Sequence, residues 1–140
     1  MFYTYQQNNS GGSFDINPDQ GISVFVVVEA DHAAEANRRA IGIGLYFDGV
    51  YRGIDCECCG NRWYKAWEGT GCDTPSLYSN PIDGAKARFA WARNAPEGFI
   101  HYKDGLMKAV WVKDSQYEVT PWPPIPGEIV TDTPELDSVN

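Results

Sequence analysis

Val24-Phe25-Val26-Val27-Val28 is an unbroken apolar run, β-branched at four of its five positions. A strand of this kind has no polar face to turn to water, so both of its faces must be covered. It therefore predicts a central strand within Ile22–Glu29. The next residues restrict the fold further. Ala33, Ala36, Ala40 and Ile41 recur at helical spacing after Asp31, whose carboxylate suits a helix N-cap. Alanines on that face would let the helix lie close on the sheet, and Gly42 and Gly44 weaken its end.

The flanking segments read as strands and turns. Phe2–Gln6 predicts a short strand, and Phe14–Ile16 a second one that could form a hairpin with it. Leu77-Tyr78 predicts a short strand ended by Asn80-Pro81. Ala85–Arg93 reads as a short helix or an irregular segment. Phe99–Tyr102 and Leu106–Val112 flank Lys103-Asp104-Gly105, and Asp-Gly supplies the positive φ of a tight hairpin turn. The last twenty residues hold five prolines, four acids and no base. These features predict one α+β domain over residues 1–120, a small mostly antiparallel sheet with one main helix packed on it, and an extended Pro-rich acidic tail over 121–140. A chain of 140 residues is long enough to bury a core of this size.

Asp55-Cys56-Glu57-Cys58-Cys59-Gly60-Asn61-Arg62-Trp63 carries the chemistry. Cys56-x-x-Cys59-Gly60 has the spacing of a zinc knuckle, in which two thiolates face one ion. Adjacent side chains in extended backbone point apart, which sets Cys58 against Cys59. The expected ligand set is Cys56, Cys59 and Cys72, with Cys58 or His101 as the fourth. Four protein ligands would make the zinc structural and not catalytic. The competing reading is a set of plain buried thiols. A Cys-His nucleophile pair would need His32 or His101, which read instead as a helix-start residue and a sheet-surface residue. Asp48 and Asp55 are carboxylates better explained by turns. No phosphate-loop, dinucleotide, nucleophile-elbow or metalloprotease motif occurs, so the expectation is a protein that is not an enzyme.

A net charge of −8 disfavours nucleic acid and anionic membranes, and no window is apolar enough to span a bilayer. The first residues lack a signal-peptide pattern, which predicts a cytoplasmic protein with reduced thiols. Five Trp, eight Tyr and six Phe supply core filler and candidate contacts. Arg62, Trp63 and Trp67 are the contact candidates beside the cysteines. Trp63 and Trp67 could stack a base while Arg62 meets a phosphate.

Taken together, Phe2–Phe14, Val28-Glu29-Ala30-Asp31, Glu35-Ala36-Asn37, Gly44–Gly49, Asp55–Trp63 and the Tyr102–Gly105 turn resemble a family of small uncharacterised proteins encoded by tailed bacteriophages. The likeness covers about the first two thirds of the chain, without Cys72 and the acidic tail. It carries over no catalytic residue. It implies a viral accessory protein in the host cytoplasm that binds and blocks a host protein, as counter-defence or host takeover. The partner expected in that reading is a host or phage protein, and two other readings stand beside it: a sponge for a nucleotide-type defence signal, and a minor virion component.

Overall fold

The computed structural model describes residues 1–9, 12–78, 80–87, 90–92 and 94–124. Its main sheet contains β1 (Phe2–Gln6), β2 (Phe25–Glu29), β5 (Gly98–His101), β6 (Met107–Lys113) and β7 (Gln116–Trp122), in the order β1-β2-β5-β6-β7. Only the β2–β5 pair is parallel, with Val26 opposite Phe99 and Val27 opposite Ile100. One helix, α1 (Ala33–Ile43), packs on this sheet, and β3 (Ser76–Leu77) with β4 (Asn80–Pro81) forms a separate two-stranded sheet that touches β1. The protein is α+β.

The apolar run sits one strand in from the edge, and it is covered on both faces as its sequence demands. Alternation along β2 turns Val26 and Val28 toward one side and Phe25 and Val27 toward the other. The first pair packs with Tyr3, Tyr5, Leu45, Trp63 and the helix alanines. The second pair packs with Leu77, Ile82, Ile100 and Val110.

Ala33, Ala36 and Ala40 face inward, but Ile41 does not. It is 56% exposed, because one residue past Ala40 is about 100° around the helix. Ile43 and Leu45 take its place against the core. The N-cap is His32, not Asp31: the His32 Nδ1 accepts from the Glu35 amide at 3.3 Å. Asp31 is drawn away by an ion pair with Lys103 at the tip of the β5–β6 hairpin. Its own amide donates to the Glu35 carboxylate at 2.7 Å, which completes a reciprocal cap.

β1 pairs with β2 and forms no hairpin with Phe14–Ile16. The Gln7 side chain holds that segment instead, accepting from Asp15 N and donating to the Asp15 and Ser23 carbonyls. Ala85–Arg93 shows no helix among its described residues; Lys86 makes an isolated bridge to Gln116. The β5–β6 hairpin forms as read. The second hairpin, β6–β7, is an addition. Its turn residues Asp114 and Ser115 both adopt positive φ, 53° and 66°, as a tight two-residue turn needs. Pro121 and Trp122 therefore belong to the sheet, paired with Lys108 and Met107. A proline fits there because β7 is an edge strand. The rest of the expected tail, from 125, lies outside the described residues.

His101 is buried in β5, with Nε2 at 2.8 Å from the Gly21 carbonyl. A carbonyl only accepts, so Nε2 carries the proton. A Cβ at Gly21 would come within 2.6 Å of this ring, which keeps position 21 a glycine. Burial holds the His101 pKa below its ordinary 6.5, against the opposing pull of the Gly21 carbonyl. The unfolded chain therefore takes up this proton before the folded one does. The His101 contribution is complete above pH 6.5 and is lost as pH falls below it. Thermal melts at pH 7.5 and 5.5 should show a larger drop in Tm for the native protein than for His101→Gln, whose amide retains a donor. Equal drops would refute this.

Candidate metal centre

The thiol loop is shaped by a carboxylate beneath it. The Asp55 side chain is fully buried. Its Oδ2 accepts from the Arg62 backbone amide at 2.7 Å, and its Oδ1 accepts from the Tyr46 hydroxyl at 3.2 Å and lies 3.7 Å from Arg62 Nε. A Cβ at Gly49 would stand 1.8 Å from Oδ2, so this carboxylate fits only against a glycine. Asn61 closes the loop by accepting from Val50 N and donating to the Phe47 carbonyl. Asn8, just past β1, clasps it from the other side through the Cys59 and Asn61 carbonyls.

Within this frame the chain turns sharply. The amides of Cys59 and Gly60 both donate to the Cys56 carbonyl, and Gly60 adopts a φ of 89°. The turn brings the sulfurs of Cys56, Cys58 and Cys59 within 4.8 Å of one another, with Cys56 and Cys58 at 2.9 Å. The expectation that Cys58 would point away from Cys59 assumed extended backbone, and these residues are not extended. Cys56 is partly exposed, while Cys58 and Cys59 are exposed. Hydrogen bonds from the Cys58 and Cys59 thiols and amides lower the Cys56 pKa to about 7. Cys58 is pushed up to about 11, chiefly by its hydrogen bond with the Cys56 thiol. Of the two thiols, Cys56 loses its proton the more readily.

Cys72 and His101 stand apart from this group. Cys72 lies in a bridge with Phe2 at the start of β1, and its Sγ contacts the Thr70 carbonyl at 3.8 Å. Backbone pairing fixes it there, so the four-cysteine set is not assembled among the described residues. His101 is committed to Gly21. Three sulfurs on one turn are suited to a soft metal ion. Zinc–sulfur bonds of about 2.3 Å imply sulfur separations of about 3.8 Å in a tetrahedron, so modest shifts within the turn would fit one ion.

The contact candidates divide. Trp63 is 1% exposed and packs with Tyr3, Tyr5 and the helix alanines, so it cannot stack a ligand. Arg62 faces inward, donating to Gln7 Oε1 at 2.7 Å and the Ser13 carbonyl at 2.9 Å. Only Trp67 is open, at 73%. With Phe47, Tyr64 and Lys65 it lines a notch of about 230 Å3. Asp55, Asn8 and Asn61 emerge as the residues that hold the loop. Asp55 reads as a turn residue from sequence, and Asn8, which reaches the Cys59 and Asn61 carbonyls from far along the chain, carries no local signal.

These features define a small α+β protein with a surface three-thiol cluster of soft-metal type. The chain belongs to the family described as a domain of unknown function, DUF7296, whose model matches residues 1–118. That match takes in the thiol loop and ends inside β7. No curated protein and no solved structure matches the chain. Among the described residues no helix is long and apolar enough to cross a membrane.

Proposed function

We propose that this is a bacteriophage accessory protein that binds and blocks a host protein in the infected cytoplasm, without turnover. The observation that carries the binding reading is the exposed pair Tyr64 and Trp67, 55% and 73% accessible, flanking one notch beside the thiol loop. Tyr and Trp are the side chains that most often anchor protein interfaces, and a solvent-facing pair costs the free chain buried apolar area. The phage setting is supported by the sequence resemblance. In this reading the thiol loop is a structural zinc brace. Cys56, Cys58 and Cys59 supply three of the four positions zinc takes, and they stiffen the loop next to the contact face.

The nucleotide-sponge reading loses one of its two stacking residues, Trp63, to the core and its phosphate contact Arg62 to the loop, which leaves it Trp67 alone. Co-purification from phage-infected cells tests the proposal. Native protein should carry one stoichiometric host protein and about one zinc per chain, the ratio of a single structural site. A Tyr64→Ala/Trp67→Ala variant should keep the zinc and lose the partner. A partner retained at full stoichiometry by that variant would refute the contact face, and a metal-free native sample would refute the brace.

A further inference from the structure

A second site lies on the sheet face turned away from α1. There a cavity of about 820 Å3 opens against Phe25, Leu77 and Ile82, within the size range of sites for small organic ligands. Glu97 contributes to its lining and is only 3% exposed. Its Oε2 accepts from Trp91 N at 2.9 Å, and its Oε1 accepts from Ala92 N at 3.0 Å. No Lys or Arg among the described residues forms an ion pair with it. Two amides leave lone pairs of this carboxylate unused. A buried carboxylate without a counter-charge is costly, because the amides replace only part of the lost water.

The same cavity is lined by aromatic rings. Phe14 and Trp91 meet at 5.7 Å with their planes 52° apart, which makes a concave corner. Tyr117 lines another part of the wall, packed edge-on against Phe25. Tyr78 stands on the rim, 73% exposed and held at a φ of 54°, a conformation rare for a residue with a side chain. Aromatic faces attract cations, and a carboxylate among them completes the charge. Lys86 also lines the cavity, but it is exposed, so its ammonium can be solvated. The net charge of −8 favours approach of a cation and disfavours an anion.

We infer that this cavity is a binding site for a small organic cation, an amine or quaternary ammonium on an apolar body, with Glu97 as the counter-ion and Phe14, Trp91, Tyr78 and Tyr117 as the walls. It shares no lining residue with the Tyr64–Trp67 notch, while Asn8, which clasps the thiol loop, stands on its wall.

Titration calorimetry of the full chain with tryptamine, its neutral alcohol analogue tryptophol and the anion indole-3-propionate tests this. All three share one ring and differ in charge. Tryptamine is expected to bind at least tenfold tighter than tryptophol, and indole-3-propionate more weakly than either. Glu97→Gln, checked for folding by circular dichroism, should reduce the tryptamine preference to near unity while tryptophol binding persists. Tyr78→Ala, on the exposed rim, should weaken tryptamine several-fold without unfolding risk. Equal affinities for amine and alcohol in the native protein would overturn the assignment, as would no binding by any of the three. A preference that survives in folded Glu97→Gln would overturn the role of Glu97.

Discussion

Replacing Trp63 by alanine should cost about 3–5 kcal/mol of folding stability, the range for deleting a large buried ring. The residue is 1% exposed and fills the space between the helix alanines and the tyrosines of β1. Those alanines cannot reach into the void, so the cavity would stay open. Small domains have roughly 5–15 kcal/mol in total, which makes the loss large enough to leave much of the chain unfolded at 37 °C. Trp67, four residues on and 73% exposed, sets the contrast: Trp67→Ala should change stability by no more than about 0.5 kcal/mol. Urea titrations of both variants check this. A Trp63→Ala midpoint equal to the native one would show that the ring is not part of the core.

Asp55→Ala should produce the second large effect, about 3 kcal/mol, because removing one partner of a buried pair strands the other. Arg62 keeps its bonds to Gln7 and Ser13, which places the cost at the lower end for such pairs. The local consequence is more telling than the global one. Asp55 fixes the Arg62 amide and the Tyr46 hydroxyl, and the thiol turn lies between positions 55 and 62. Without it the three sulfurs lose their common frame. Zinc retained after dialysis against a weak chelator should fall well below that of the native protein, even in the fraction that remains folded. A folded Asp55→Ala protein with full zinc retention would show that the turn organises itself.

The two predictions separate what is local from what is not. The hairpin at Asp104-Gly105 was legible because its turn chemistry lies in adjacent residues, and Asp104 does accept from Leu106 N. The β6–β7 hairpin was not legible. Asp114-Ser115 lacks a glycine, and positive φ at two side-chain-bearing residues is accepted only because seven cross-strand positions hold the strands together. The Asp31 cap failed for the opposite reason. The residue has the right chemistry, but Lys103, distant in sequence, competes for its carboxylate. The thiol site shows both cases. The clustering of three cysteines was visible. Which of them converge was not, because that depends on the turn at Cys59-Gly60 and on Asn8 reaching across from β1.

By itself the sequence determined the α+β class, the central position of Val24–Val28, the alanine face of the helix and the place of the thiol loop. Each of these follows from periodicity or from neighbouring residues, which act over a few bonds and do not depend on the rest of the chain. Only the tertiary structure decided that Cys72 stays with Phe2, that Trp63 is core while Trp67 is surface, and that Glu97 faces a cavity. Those outcomes depend on which distant backbone segments pair, and strand pairing is set by long-range packing that no single segment encodes.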